Sequence, residues 1–249
     1  MIHLRSKKEI DLIRKSCELV VQSLKLAETL VEPGVSTSSI DKMIENYIIS
    51  KGAIPAFKGY NGFPASSCIS IEDEVVHGIP GDRVLIEGQI VSIDVGVECD
   101  GYFGDSARTF AVGGIKPDKE LLLTVTQDSL DRGIAEIGAG VRLSNISHAI
   151  QNTVESFEYS VVRELVGHGI GRNLHEDPQI PNYGSPNSGP RLKSGMVLAI
   201  EPMVNMGSFE VKTLEDNWTV VTSDGLPSAH FEHTVLVSDQ GPEILTVYN

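Results

Sequence analysis

The 249-residue sequence has no apolar run of membrane length, few cysteines and too little positive charge to balance its acids. Each shortage removes a class of function. Twenty Lys and Arg against 34 Asp and Glu leave a net charge of -14. That excludes a protein that grips nucleic acid with its whole surface, because phosphate binding needs Lys and Arg; a local basic patch stays open. Cys17, Cys68 and Cys99 show no paired pattern, and so sparse and odd a set fits a reducing compartment. The opening MIHLRSKKEIDLIRK is neither a signal peptide nor a membrane span, and no later stretch reaches the roughly 20 residues a span requires. A cytoplasmic location without membrane attachment is expected, and no low-complexity segment or charged tail interrupts the chain.

What is present is regular. SKKE at Ser6 to Glu9 has the form of a capping box, and Ile10, Ile13, Cys17, Val20, Val21 and Leu24 then recur at helical spacing. Pro33-Gly34 stops that helix, and STSSIDKMIENYIISKG predicts a second. PDKELLLTVTQDSLDRGIAEIG and LSNISHAIQNTVES repeat the arrangement later. The joints align: GVSTSSIDKMIEN begins at Gly34 and GVRLSNISHAIQN at Gly140, with Gly-Val, Ser-x-Ile, a later Ile and an Asn in step. The match is weak and coincidence between two helix starts competes with it, but it points to two similar halves. Strands follow each helix pair: QIVSIDVGVECDGYFGDSARTFAV folds about Asp100-Gly101 as a hairpin, and GMVLAIEPMV and HFEHTVLVSD are two more. The expected fold is α+β, a curved antiparallel sheet with helices outside, in one domain over residues 1–249 with halves of about 1–112 and 113–249.

Chemistry concentrates on the strands. Asp94 sits in an apolar strand and Asp105 on its hairpin partner. A loop of Asp100-Gly101 sets Asp94 opposite Ala107 with Asp105 diagonal to it; a loop of Cys99-Asp100 sets the two face to face. In either register both project from one face. A solvated face or a salt bridge to Arg108 competes with a cation as the way to relieve their repulsion. LVGHGIGRNLHEDP carries His168 and His175 among glycines that argue against a helix, and the loop that follows argues against a phosphate cradle. Glu201 ends the run MVLAI and Glu232 precedes another. Two Asp, two Glu and a His form a mainly oxygen donor set, better suited to a pair of divalent cations than to a lone tetrahedral zinc.

CISIEDEVVHGIP, VSIDVGVECDGYFGDSA, GHGIGRNLHEDP, VLAIEPM and FEHTVLV, in that order and spacing, make the chain resemble the type I methionine aminopeptidases of the creatinase/aminopeptidase or pita-bread superfamily. The resemblance covers nearly the whole chain. It implies a pita-bread fold and a metallo-exopeptidase that removes the N-terminal methionine of newly made chains when the second residue is small and the amine unformylated. It implies two divalent cations (Co, Mn, Fe or Zn) held by Asp94, Asp105, His168, Glu201 and Glu232, with Asp105 and Glu232 bridging. His77 and His175 are then substrate-contacting catalytic residues, Glu201 is the proton shuttle, and Tyr60, Phe63, Cys68 and Trp218 line the methionine pocket. Phe57, Leu174 and Glu72 depart from residues seen in some relatives, Glu72 near a monovalent-cation site. The expected partners are nascent-chain N-termini at the ribosome, without nucleic-acid specificity, and the expected state is a monomer. A proline-directed aminopeptidase or prolidase shares the fold and metals but usually carries an extra N-terminal domain. A non-catalytic relative would tend to lose ligands, and a nucleotide-binding protein is the weakest alternative.

Overall fold

A computed structural model describes residues 1–248. The first helix, α1, spans Lys7–Glu28 and starts where the cap predicts: the Ser6 hydroxyl accepts from the Glu9 N–H while the Glu9 carboxylate accepts from the Ser6 N–H. Its inner face buries Ile13, Cys17, Val20, Val21 and Leu24. Helix α2, Thr37–Ser50, is capped by the Ser36 hydroxyl. Short strands β1 (Ile54–Pro55), β2 (Cys68–Ile71) and β3 (Glu74–Val76) lead to the long hairpin β4 (Ile90–Cys99) and β5 (Tyr102–Ala111). Asp100 and Gly101 form its turn with φ of 53° and 78°, the double left-handed conformation that suits a two-residue hairpin.

The second half repeats the plan. Helices α3 (Pro117–Ala135) and α4 (Ser144–Glu155) precede β6 (Ser160–Val161), β7 (Gly167–Gly169), β8 (Glu176–Ile180), β9 (Val197–Ile200) and β10 (Met203–Asn205). Then come β11 (Val211–Thr213), β12 (Val220–Thr222), β13 (Ser228–His230), β14 (His233–Ser238) and β15 (Gly241–Ile244). The correspondence extends to single hydrogen bonds. Gly34 N–H donates to Leu85 and Leu85 N–H to Val35; in the second half Gly140 donates to Leu192 and Leu192 to Val141. Both glycines hold φ of 90°. Ile40 and Ile44, with their counterparts Ile146 and Ile150, are fully buried.

Among the described residues all strand pairs are antiparallel, as the α+β reading expects, and hydrogen bonding groups them into four sheets. The largest joins β15, β14, β9, β7 and β8, while β4 carries β5 on one edge and β2 and β1 on the other. One apolar core lies under α1 and α2 (Val20, Leu24, Ile40, Ile93, Val95), another under α3 and α4 (Leu130, Ile146, Ile150, Leu198, Val235). A third, with Ile13, Phe63, Cys68, Leu174 and Leu236, fills the space between them. The strands read from GMVLAIEPMV and HFEHTVLVSD are each broken, at Glu201-Pro202 and at Phe231-Glu232. Pro202 has no N–H to donate, and the Glu232 N–H turns to the Ala107 carbonyl instead. Among the described residues no helix is long and apolar enough to cross a membrane.

Candidate functional site

Alternation on β4 fixes the first carboxylate. Val91, Ile93, Val95 and Val97 pack beneath α1 and α2, so Asp94 projects from the opposite face. The Asp100-Gly101 turn puts Asp94 opposite Ala107 and Asp105 opposite Gly96, the diagonal register of the two foreseen. A Cβ at Gly96 would stand 2.5 Å from the Phe57 ring, so glycine leaves room for that aromatic.

The second half brings its own donors to this face. His168 is the middle residue of β7, opposite Ala199 of β9. Its flanking glycines are required by close backbone: a Cβ at Gly167 would lie 2.5 Å from the Ala199 carbonyl oxygen, and one at Gly169 would collide with the Asp177 carbonyl. Glu201 follows β9 and Glu232 precedes β14, at the two strand breaks. The halves are stitched together at the site itself. The Thr234 hydroxyl donates to the Asp105 carbonyl at 2.7 Å, the Glu232 N–H to the Ala107 carbonyl at 2.9 Å, and the Ser106 hydroxyl to the Glu232 carbonyl at 2.5 Å.

The cluster so formed is rich in acids and poor in countercharge. One donor atom each from Asp105, His168 and Glu232 lies within 4.8 Å of the others, and all three residues are buried. Glu201 Oε1 is 3.5 Å from His168 Nε2, and Asp94 and Asp105 stand diagonally across the β4–β5 hairpin. Among the described residues no Lys or Arg pairs with any of the four carboxylates; Arg108, the alternative partner, stacks on Phe231 and Tyr248 instead. Burial pushes the Asp94 carboxyl up to about 7, and Asp105, Glu201 and Glu232 go well above the usual range, for burial first and mutual repulsion second. Asp94 Oδ1, Asp105 Oδ1 and Glu232 Oε1 have no hydrogen-bond partner. His168 Nδ1 meets the Gly169 carbonyl at 2.9 Å and burial pushes its pKa down to about 3, so Nδ1 carries the proton and Nε2 offers a bare lone pair. Orphaned carboxylate oxygens beside a neutral imidazole are what a divalent cation satisfies.

Two further histidines border the cluster. His77 has a left-handed backbone, φ 59°, and the following Gly78 passes so close to Ile69 that no side chain would fit there. Such strain at a residue facing a cavity marks a constrained orientation. Burial and the neighbouring His175 push the His77 pKa down to about 4. His175 stands at the mouth, its ring 4.3 Å from that of His168 and its Nδ1 2.7 Å from the Tyr60 hydroxyl. The neutral ring carries its proton on Nε2 when Tyr60 donates and on Nδ1 when Tyr60 accepts.

One cavity of about 220 Å³ touches all of these groups. The residues the resemblance assigned to metal, catalysis and the methionine pocket line it: Asp94, Asp105, His168, Glu201 and Glu232, then His77 and His175, then Tyr60, Phe63, Cys68 and Trp218. Phe57, Leu174 and Asn61 complete the wall, and Phe63 packs edge-on to Trp218 with centroids 5.1 Å apart. The space is small beside the roughly 300–1,000 Å³ of drug-sized pockets and suits a single side chain. Glu72 lies apart, its carboxylate taking the Lys119 ammonium at 2.6 Å and the Ile90 N–H at 2.8 Å. Sequence reasoning passed over Asn61 and His230. His230 ends β13 two residues before Glu232, across the break at Phe231-Glu232.

The chain matches the pattern of metallopeptidase family M24 over residues 11–239. It is 56% identical over 246 residues to methionine aminopeptidase 1 of Bacillus subtilis, covering 99% of each. It is similar to the crystal structure of methionine aminopeptidase from Thermotoga maritima, with a TM-score of 0.97, 44% identity and 99% of each chain covered. The prolidase from Pyrococcus furiosus, at 22% identity and a TM-score of 0.80 over 99% of this chain and 66% of its own, shares the fold alone.

Proposed function

The chain belongs to metallopeptidase family M24, and from that premise we propose that its buried carboxylate–histidine cluster carries out the removal of N-terminal methionine. It is a hydrolase and an aminopeptidase. The carrying observation is the set of four clustered carboxylates, Asp105 and Glu232 buried and Asp94 and Glu201 partly so, with no Lys or Arg to balance them. Asp94, Asp105, His168, Glu201 and Glu232 would hold two divalent cations drawn from Co, Mn, Fe or Zn. When bound, such a pair supplies Lewis acidity and an ionised water at neutral pH.

The chain's own groups do the rest. The aromatic wall of Tyr60, Phe63 and Trp218, with Cys68, receives the unbranched methionine side chain. Glu201 accepts a proton from the attacking water and returns it to the departing amide nitrogen. His175, its Nδ1 held by the Tyr60 hydroxyl, donates from Nε2 to the carbonyl oxygen as negative charge builds there. His77 orients the leaving nitrogen. A smaller cavity of about 120 Å³, bordered by Val76, Leu165 and Met203, lies beyond His77 and Glu201. It accepts the second residue, which favours Gly, Ala or Ser. The substrates are newly made chains freed of any formyl group, because a blocked amine loses its place in the cluster. The reaction takes place in the cytoplasm at the ribosome, and the working unit is a monomer of one domain, residues 1–249, with halves of 1–112 and 113–249.

The test compares kcat/KM for Met-Ala-Ser, Met-Leu-Ser, formyl-Met-Ala-Ser and Ala-Pro-Ser under one metal condition. Met-Ala-Ser should lead. Preferred cleavage of Ala-Pro-Ser would move the chain to the proline-directed branch, and equal cleavage of the formylated peptide would remove the free amine from recognition.

A further inference from the structure

His230 is the buried group near the cluster that the proposed reaction leaves unused. Its residue is 2% exposed, and its Nε2 has no hydrogen-bond partner. A buried nitrogen without a partner is costly unless something satisfies it. The ring is not there by slack in the chain. The His230 N–H donates to the Thr109 hydroxyl at 2.9 Å, and that hydroxyl meets the His230 carbonyl at 2.9 Å. Thr109 in turn touches the Ser92 hydroxyl at 2.8 Å, and His230 pairs with Met203 across β13 and β10. A backbone held from two directions sets the imidazole beside Glu201, on the wall of the smaller cavity that His77 also lines. The His230 Nε2 is 3.7 Å from Glu201 Oε2, while the other Glu201 oxygen, Oε1, is 3.5 Å from His168 Nε2. The Glu201 carboxylate therefore stands between two imidazoles, one at each oxygen, and Asn182 ties its backbone carbonyl at 3.0 Å.

We propose that His230 is a positioning residue that holds Glu201 Oε2 through an Nε2–H donor, so that Oε1 is the oxygen presented to the cation beside His168. The inference rests on the reading of Glu201 and His168 as metal ligands. At 3.7 Å the contact is an approach and not a formed bond. A carboxylate shift of about 0.7 Å closes it to the roughly 3.0 Å of an ordinary N–H···O contact. Carboxylates that bind metals are commonly held this way by a second hydrogen bond, whose loss costs about 10–100-fold in metal affinity.

The experiment measures the Mn²⁺ dissociation constant by calorimetry, with kcat/KM alongside, for the parent and for His230→Leu, His230→Asn and His230→Gln. Leu removes the donor at similar bulk. Asn carries an amide donor one methylene too short, and Gln carries one at similar reach. The expected result is about 10–100-fold weaker Mn²⁺ binding in Leu and Asn, with Gln within about threefold of the parent. Should the Leu variant not fold, Asn against Gln decides the same question. Parent-like binding in Leu or Asn overturns the inference, as does equal weakening in Asn and Gln, which would indicate packing or direct ligation by the ring. If the parent itself binds no Mn²⁺, the failure lies with the functional reading.

Discussion

Single side chains around the cavity divide by what they can lose. Asp105 and Glu232 offer orphaned oxygens within 4.8 Å of His168, so Asp105→Ala or Glu232→Ala should empty the cluster of cation. His77 is held by its left-handed backbone at the cavity wall, outside that triad. His77→Ala should keep its metal and lose about 10²-fold or more in kcat. Metal content by elemental analysis beside turnover separates the two groups, and an emptied site in His77→Ala would reverse the roles. Tyr60→Phe tests tautomer control. Without the 2.7 Å contact the His175 proton is free to move to Nδ1, so kcat should fall while the Mn²⁺ dissociation constant holds. Equal kcat in Tyr60→Phe and the parent would remove Tyr60 from that task.

At the scale of elements, strand placement turns a peptide segment into a ligand. β7 is three residues long and exists to seat His168 against β9. Gly167→Ala would drive a methyl group against the Ala199 carbonyl and displace that strand. A cost of about 1–3 kcal/mol in urea unfolding is expected, together with weaker Mn²⁺ binding; an unchanged affinity would show that the strand's position does not set the ligand. The same elements show what could be read beforehand. The β4–β5 hairpin was legible because alternation and an Asp-Gly turn are local signals, and the one ambiguity was a choice between two registers. Helix α1 was legible from its cap and spacing. The breaks at Glu201 and Glu232 were not, because the Glu232 N–H finds its partner on Ala107, far away in sequence. His230 was missed for a related reason: its significance comes from Glu201, on another strand.

Across the whole molecule, the two halves meet at the carboxylates, so metal and fold stability are linked. Asp94 shifts from its ordinary 3.8 to about 7 through burial. The metal-free fold therefore binds that proton more tightly than the unfolded chain does. The stabilisation is fully present below about pH 3.8 and is lost as pH rises through about 7. Asp105, Glu201 and Glu232 shift in the same direction. The metal-free protein should thus lose thermal stability between pH 5 and 8 relative to the loaded one, whose cations replace the protons. At a hundredfold excess over its dissociation constant one bound cation adds about 2.7 kcal/mol. Calorimetric melts across that range, with and without chelator, should show the two curves diverging as pH rises; parallel curves would deny that these carboxylates feel the metal.

The account stands most directly on a titration of Mn²⁺ into rigorously chelated protein, following bound cation and Met-Ala-Ser hydrolysis in the same samples. Hydrolysis should be absent at the start and rise in step with cation bound, and Asp105→Ala should show neither. Full hydrolysis before any cation is added, in protein whose metal content is verified as nil, would contradict it.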